Sequence, residues 1–274
     1  MTDRHLVSTH YDQAAAQEYA RLTQSPLHQA EWLLTLDTIH AHVPSGGKVI
    51  DIGAGPGRYA EYLIRGMGCQ VGLLDLSPVS LDLFRQRLEP GLQERVLFAQ
   101  AACATDLGFV ADESFDAALL LGPLYHLQDE QERLAALSEA YRVLRPGGYL
   151  IAAFLSPYPL FARLLRRDPD LLCDAEVVRQ LAQGGSVELP TVSRLVEQYR
   201  CWPAQARALL AQGGFDVVGM RNLEGPSIFA EDSLREAFSS EQQREGWFHL
   251  LRETCENRDL LGATIHFLGV ARKG

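Results

Sequence analysis

The middle of the chain alternates short apolar runs with stretches whose apolar residues recur at helical spacing. Short apolar runs bounded by turn residues are typical of buried strands, whereas a period near 3.6 is typical of amphipathic helices. We predict strands at 48–52, 70–76, 95–102, 115–121, 149–155, 215–222 and 264–273, with helices at 58–65, 78–88, 129–144 and 203–212. This α/β alternation predicts a mostly parallel sheet covered by helices on both faces.

Three segments interrupt the alternation. Residues 1–44 have helical spacing and precede the first strand, and residues 156–200 and 227–260 are also mostly helical in character. We interpret the latter two as helical insertions, the first of them over the working edge of the sheet. The sequence RPGG at 145–148 is predicted to end the preceding helix. The final strand has no ordinary crossover helix before it, which favours an antiparallel closing strand at the sheet edge.

The composition is that of an ordinary globular protein, and it disfavours a membrane-spanning protein and a nucleic-acid-binding protein. Of the 274 residues 47% are hydrophobic, and the formal net charge is −10 with Lys and Arg scattered. No apolar run is long enough for a membrane span, and the polar N-terminus lacks a signal-peptide core. We predict a cytoplasmic protein without a membrane span, and the acidic charge disfavours a nucleic-acid partner. Five cysteines without a CxxC pair predict neither a disulfide framework nor a metal site.

The sequence VIDIGAGPG at 49–57 is a glycine-rich turn between a predicted strand and a predicted helix. Glycine allows positive φ and close approach of a ligand, and the following helix presents free amides. Asp75 lies 18 residues after Gly57, at the end of the next strand, where an acid can accept ribose hydroxyls. Such a turn also closes ordinary strand–helix units, and Asp75 can simply favour a helix N-terminus. The pairing of turn and acid favours a nucleoside ligand.

The spacing of the turn bears on which nucleoside ligand it holds. Dinucleotide sites usually carry GxGxxG, whereas this turn has GxGxG and is preceded by Asp51. A buried acid beside the turn would repel a pyrophosphate and suits a cationic ligand. S-adenosylmethionine carries both an ammonium and a sulfonium, so it is the predicted cofactor, with S-adenosylhomocysteine as its product.

Four stretches make the chain resemble the class I S-adenosylmethionine-dependent methyltransferases, in the small-molecule group that includes ubiquinone-biosynthesis enzymes. They are VIDIGAGPGRYAEYL, VGLLDLSP, ATDLGFVADESFDAALLL and ALSEAYRVLRPGGYLIAAF. The resemblance implies a Rossmann-like, doubly wound, seven-stranded sheet with an antiparallel last strand. It also implies that residues 1–44 form an N-terminal helical cap and that 45–274 form the methyltransferase domain with its two insertions.

The resemblance also implies roles for individual residues. Asp51, Gly53 and Gly55 would meet the methionine end of the cofactor, and Asp75 would hold the ribose. Cys103 departs from the pattern, because many relatives place an acid there to accept from the adenine amino group. The predicted cofactor-binding residues are Tyr11, Tyr19, Asp51, Gly53, Ala54, Gly55, Gly57, Asp75, Leu76, Ala102, Cys103, Ala104 and Leu121.

The predicted catalytic residues, Tyr125 and His126, follow the fourth strand, which should border the transferable methyl group. His126 titrates near neutrality and could act as a general base, or it could only orient the acceptor or cap the next helix. Tyr125 could pack against the cofactor or the acceptor. In the cap, Tyr11 and Tyr19 could shield the sulfonium or belong to a helix core.

We therefore predict an enzyme that moves a methyl group to an oxygen or nitrogen atom of a small molecule. Rate would come mainly from positioning and desolvation, with base help from His126 as an addition. Two alternatives stay open, namely methylation of RNA or another nucleic acid, and a binding module without turnover. An NAD-dependent oxidoreductase is disfavoured by the GxGxG spacing and by Asp51.

Overall fold

A computed structural model describes residues 4–186, 198–225, 227, 234 and 240–274. Its centre is a seven-stranded sheet in the order β3-β2-β1-β4-β5-β7-β6. β7 is antiparallel to both neighbours, and the other pairs are parallel. The predicted Rossmann-like fold is thereby confirmed. The strands are β1 (Lys48–Ile52), β2 (Gln70–Asp75), β3 (Val96–Ala101), β4 (Phe115–Leu120), β5 (Leu144–Leu155), β6 (Asp216–Asn222) and β7 (His266–Arg272).

Helices cover both faces of this sheet, and five of them begin at a residue whose side chain accepts a hydrogen bond from the first turn. The side chain of Ser77, for example, accepts from the amide of Ser80, and Pro78 occupies the first turn. The helices are α1 (Arg4–Arg21), α2 (Pro26–His42), α3 (Arg58–Met67), α4 (Pro78–Arg87), α5 (Pro123–His126), α6 (Glu130–Val143), α7 (Tyr158–Arg167), α8 (Ala175–Gln183), α9 (Pro203–Gln212) and α10 (Glu241–Thr254).

The core lies on the two faces of the sheet. Val49 packs among buried residues of α2, α3, α4 and α10, whereas its neighbour Ile50 packs on the opposite face with α6 and α9. Successive strand residues point to opposite faces, so both must be apolar where both faces are covered. Burial on both faces leaves the carboxyl ends of the parallel strands as the edge where ligands bind in such folds.

The RPGG sequence lies inside a strand instead of ending a helix, which corrects the prediction. α6 ends at Val143, and β5 begins at the next residue. The pairing with β4 jumps from Phe115–Leu144 to Ala117–Tyr149, so RPGG forms an irregular section of β5. Hydrogen bonds to the chain after β7 hold this section in the sheet: Gly147 N donates to Lys273 O at 2.8 Å, and Lys273 N to Gly148 O at 2.9 Å.

The final strand is antiparallel as predicted, but it is not the edge strand. β7 lies between β5 and β6, and all its residues from Phe267 to Ala271 are buried. β6 occupies the edge, and its Val218 is 52% exposed. The more apolar strand takes the interior position because an interior strand must cover both of its faces.

The two insertions are mostly helical where the structure describes them. In the first, α7 and α8 share a small apolar cluster of their own, and Gly185–Ser186 forms a short strand pair with Tyr199–Arg200. Residues 187–197 of the first insertion lie outside the described residues, as do residue 226 and residues 228–233 and 235–239 of the second insertion, which contains α10. Among the described helices, none is long and apolar enough to cross a membrane.

Candidate cofactor and active site

The glycine turn between β1 and α3 is held against the end of β2. The amides of Gly53 and Ala54 both donate to the carbonyl of Leu74, at 2.8 and 3.0 Å. Gly53 and Gly55 have φ of 75° and 53°, in the left-handed region that favours glycine. A side chain on Gly53 would meet the Pro123 ring at 2.4 Å, whereas one on Gly55 would meet nothing within 4 Å. Gly53 therefore serves packing, and Gly55 keeps space open.

A large cavity opens over this turn at the carboxyl ends of the strands. The space over the turn amounts to about 1120 Å³ when the open solvent at its mouth is counted with it. Most of the predicted site residues meet there. The predicted residues that line it are Tyr11, Asp51, Gly53, Ala54, Gly55, Asp75, Leu76, Ala102, Cys103, Ala104, Leu121, Tyr125 and His126.

Asp51 forms part of the floor of the cavity and is only 2% exposed. Its Oδ2 is buried and makes no hydrogen bond with any described residue. Burial, and after it the negative charge of Asp75, raise the pKa of Asp51 to about 7. An unpaired buried carboxylate oxygen is costly, and a ligand cation would compensate for it. The site therefore fits a ligand that brings a positively charged donor, as the ammonium group of S-adenosylmethionine does.

Asp75 ends β2 and is oriented by backbone amides. Its Oδ2 accepts from Gly55 N at 2.7 Å, and its Oδ1 from Ser77 N at 2.8 Å. Burial raises the pKa of Asp75, while the amides of Ser77 and Gly55 oppose that rise. Each carboxylate oxygen has a second lone pair. The carboxylate can therefore accept further hydrogen bonds from a ligand, as ribose hydroxyls would offer.

The segment after β3 forms an apolar wall of the cavity. Ala102, Cys103 and Ala104 line it, opposite Leu76. The Cys103 thiol lies 3.2 Å from the Thr105 hydroxyl, and the Ala102 amide donates to Asp75 O at 3.0 Å. The side chains here offer no carboxylate for an adenine amino group, which leaves backbone groups for that recognition.

Two of the predicted cofactor residues do not line the cavity. Tyr19 turns away, because its hydroxyl donates to Glu61 at 2.7 Å and its ring lies under the guanidinium of Arg87. Gly57 caps α3 with φ of 74°, and a side chain there would meet the Phe84 ring at 2.4 Å. The third glycine of the motif therefore permits helix packing and does not border the cavity.

α1 contributes Tyr11, Glu18 and Arg21 to the lining of the cavity. The Ser8 hydroxyl donates to Leu76 O at 3.0 Å, and the Ser77 hydroxyl donates to Asp12 at 2.5 Å. Both contacts fall on the segment that follows β2. The helix therefore rests on the strand end that carries Asp75.

Tyr11 and His126 form a buried pair within the cavity. The Tyr11 hydroxyl lies 2.7 Å from His126 Nε2, and His126 Nδ1 makes no hydrogen bond to any described residue. Burial, helped by His10, lowers the pKa of His126 to about 4, so its imidazole is neutral near pH 7. Burial raises the pKa of Tyr11. Beside them, the Tyr125 hydroxyl donates to Leu121 O at 3.1 Å.

The cavity also includes residues to which the sequence analysis gave no role. Pro123 follows a glycine after β4, and this G-P turn is a local signal that could have been used. No local signal marks Arg4, because the placement of α1 depends on distant contacts such as that of Arg4 with Thr105. The additional lining residues are Arg4, Val7, Glu18, Arg21, Leu22, Pro56, Arg58, Tyr59, Leu74, Gly122, Pro123 and Leu127.

A buried ionic network adjoins the cavity through Arg21. Both terminal nitrogens of Arg21 donate to Glu31, at 2.6 and 2.8 Å. His266 Nδ1 lies 2.7 Å from Glu224 and 3.9 Å from Glu31. Burial disfavours charge on His266, but the two carboxylates outweigh it and raise its pKa.

Glu31, Glu224 and His266 bring ligand atoms within 4.8 Å of one another. Arg21 already occupies both oxygens of Glu31, however, and Glu224 accepts from Thr264, from His266 and from backbone amides. The group is therefore built as a set of ion pairs.

Comparison with known proteins matches this chain to methyltransferases. The sequence pattern of a family described as a methyltransferase domain matches residues 49–148. A demethylmenaquinone methyltransferase of Clavibacter sepedonicus is 34% identical over 181 residues, covering 65% of this chain and 69% of that protein. A ubiquinone biosynthesis O-methyltransferase of Xanthomonas axonopodis pv. citri is 28% identical over 234 residues, covering 75% of this chain and 92% of that protein. Across the relatives compared, the aligned part ranges from 38% to 92% of their own length.

A solved structure has the same fold. It is a 1,6-didemethyltoxoflavin-N1-methyltransferase of Burkholderia thailandensis with bound 1,6-didemethyltoxoflavin and S-adenosylhomocysteine. The match covers 98% of this chain and 88% of that one, with a TM-score of 0.58 and 17% sequence identity. At this identity the likeness concerns the fold alone.

Proposed function

Because the chain belongs to the class I S-adenosylmethionine-dependent methyltransferases of small-molecule type, we propose that it methylates an oxygen or nitrogen atom of its acceptor. The observation that carries the proposal is the Tyr11–His126 pair, a neutral imidazole in the cavity that holds Asp51 and Asp75. Acceptors with an O–H or N–H group must lose a proton, and a neutral imidazole can take one.

The residues of the glycine turn and of β2 would hold the cofactor. Asp51 would pair with its ammonium group, and Asp75 would accept from its ribose hydroxyls. When bound, S-adenosylmethionine supplies an activated methyl group on a positively charged sulfur. The enzyme's own contribution is then to align the acceptor and to exclude water, which can supply most of the rate of a methyl displacement.

The N-terminal helical cap would exclude water from the site. We propose that residues 1–44 act as this cap over the methyltransferase domain at 45–274, since α1 lines the cavity and contributes Tyr11 to it. Tyr125 is buried beside Tyr11 and His126, and its ring would orient the acceptor. A dry site strengthens each electrostatic contact in it.

His126 would take the acceptor proton as the methyl group arrives. A base with a pKa of about 4 is weak, but an O–H or N–H group becomes far more acidic once methyl transfer leaves its oxygen or nitrogen positively charged. A weak base is then sufficient, and positioning supplies most of the rate. Tyr11 would fix the imidazole by its hydrogen bond to Nε2.

The cofactor assignment can be tested by thermal unfolding with added ligands. We expect S-adenosylmethionine and S-adenosylhomocysteine to raise the melting temperature, because ligands that bind only the folded state stabilise it by mass action. NAD serves as the control and should give no shift. Release of S-adenosylhomocysteine with a pool of phenols and amines, but not with RNA or DNA, would support the small-molecule assignment. Turnover with RNA alone would contradict it.

The role of His126 can be separated from a structural one by two matched substitutions. We expect His126→Gln to lower kcat about a hundredfold, the range of a lost general base, while S-adenosylhomocysteine affinity stays within about threefold. Tyr62 and His40 form an exposed pair with the same 2.7 Å contact, so His40→Gln is the control and should leave kcat unchanged. A His126→Gln enzyme with wild-type kcat would show that positioning alone is used.

A further inference from the structure

Two basic side chains converge at the carboxyl end of β5. His266, the first residue of β7, pairs with Leu155. On the other edge of the same strand end, Cys201 N donates to Leu155 O at 2.9 Å, and Arg200 Nη1 donates to Ser156 O at 3.1 Å. The carboxyl end of a parallel strand is where ligands bind in this kind of sheet. The basic groups therefore lie at the ligand-binding edge.

Arg200 is a largely buried cation with no carboxylate partner among the described residues. Within the described part of the chain, its guanidinium donates to Ser156 O and to the Gln198 side chain, the latter at 2.8 Å. Burial lowers the pKa of Arg200 to about 10, and Tyr125 opposes that shift. By contrast, Arg21 has a bidentate carboxylate partner in Glu31. A guanidinium has five N–H donors, so Arg200 retains donors for an incoming group.

His266 supplies a second basic group: the carboxylates of Glu31 and Glu224 outweigh its burial and raise its pKa, which favours the protonated ring with two N–H donors. Its Nδ1 is engaged by Glu224, and its Nε2 donates to no described residue, while 16% of the side chain is exposed. Arg21 pairs with Glu18 and Glu31, and His266 pairs with Glu224. Among the described residues, Arg200 is therefore the cation of this group without a carboxylate of its own.

Tyr125 connects these cations to the cavity. Tyr125 lines the cavity, and its ring centroid is 6.4 Å from that of His266. Burial raises the pKa of its hydroxyl, and the positive charges of Arg21 and Arg200 oppose that rise. The glycine turn and Asp75, which would hold the cofactor, lie at the ends of β1 and β2. The cations border the end of β5, which β4 separates from β1 in the strand order. They thus lie on the side left for the acceptor.

We propose that Arg200 and His266 form a subsite that holds an anionic oxygen group of the methyl acceptor, a carboxylate or an ionised phenol or enol. The inference rests on the proposed function and names its substrate class. The anion would accept from the free N–H groups of Arg200 and from His266 Nε2, which supply the planar and charged donors that carboxylates prefer. It would also give Arg200 the carboxylate-like partner that it lacks among the described residues.

The test uses the full chain saturated with S-adenosylhomocysteine and two matched probe pairs. The pairs are 3,4-dihydroxybenzoate with 3,4-dihydroxybenzamide, and hexanoate with hexanamide, titrated by calorimetry. We expect at least one carboxylate to bind about tenfold or more tightly than its amide. Arg200→Gln should reduce that preference to about threefold or less, and Arg200→Lys should retain part of it because the charge remains. Arg179→Gln, on the exposed face of α8, should behave as the wild type.

The outcomes are distinguishable. If S-adenosylhomocysteine itself does not bind, the proposed function fails. If it binds but no carboxylate is preferred over its amide, including the case in which no probe binds, the subsite is overturned and the proposed function stands. Retention of the full preference by Arg200→Gln also overturns it. Thermal unfolding of each variant shows that the comparison is made between folded proteins.

Discussion

Cofactor affinity is expected to rise with pH by up to about tenfold per unit below pH 7, and to level off above it. The reason is Asp51, whose pKa burial raises to about 7. In the free protein the acid is protonated below this value, whereas a bound ammonium group favours the carboxylate. Binding at low pH must therefore release a proton. Calorimetric titration with S-adenosylhomocysteine at pH 5.5, 6.5 and 7.5 measures the slope directly.

Asp51→Asn should remove the pH dependence along with much of the affinity. A lost charge-assisted hydrogen bond costs about 2 kcal/mol, or roughly thirtyfold in the dissociation constant. Asp82→Asn, at an exposed acid of α4, is the matched control and should leave both quantities unchanged. If Asp51→Asn kept the wild-type slope, another group would have to carry the titration.

The same pKa shift acts on the stability of the free protein with a definite sign. Folding raises the pKa of Asp51 from its ordinary 3.8 to about 7. Its contribution to the free energy of unfolding is therefore present below pH 3.8 and is lost as the pH rises through 7. Bound cofactor offsets this loss, so the stabilisation by S-adenosylhomocysteine should grow over the same pH window.

Gly53→Ala and Gly55→Ala should damage the protein in different ways, although both glycines have positive φ. Gly53→Ala adds a collision with the Pro123 ring to the backbone strain, and together these should lower the free energy of unfolding by about 3 kcal/mol or more. Gly55→Ala meets open space, so only the backbone cost of about 1–2 kcal/mol applies. Its methyl group would enter the cavity and weaken S-adenosylhomocysteine binding by about tenfold or more.

The matched control for backbone strain is Gly46→Ala. Gly46 has φ of 72°, has no neighbour within 4 Å of the added carbon, and lies outside the cavity. Urea unfolding should place Gly46→Ala and Gly55→Ala close together and Gly53→Ala well below them. Titration with S-adenosylhomocysteine should separate Gly46→Ala, with wild-type affinity, from Gly55→Ala. Equal affinity of these two variants would show that the space over Gly55 does not hold the cofactor.

Local patterns in the sequence were sufficient for the strands and for the turn that they flank. The apolar run of β1 indicates a buried strand, and the glycines after it indicate a turn with positive φ. Both can be predicted from the local residue types alone. The family resemblance then added residues such as Leu76 and Ala104, which the structure brings to the cavity. Gly57 looked like part of the same motif, but its neighbour Phe84 lies in another helix and has no local signature.

Long-range packing explains what the sequence did not reveal. Arg21, Glu31, Glu224 and His266 come from four separate elements or loops, and each would be an unremarkable polar residue alone. Their ion pairs exist only because α1, α2 and β7 meet beside β5. The place of β7 within the sheet has the same origin, since the strand sequence indicates burial on both faces but does not name its neighbours.

The position of β7 has a consequence for how the chain folds during synthesis. β6 leaves the ribosome before β7 but, among the described strands, pairs only with β7, and β5 also lacks its antiparallel neighbour until β7 arrives. Until then, one side of β5 and all of β6 expose unpaired backbone groups, a state that invites pairing with other chains. The parallel half of the sheet, β1 to β4, can assemble earlier. The amino-terminal strands can therefore pair first, and the sheet is completed when β7 pairs with both β5 and β6.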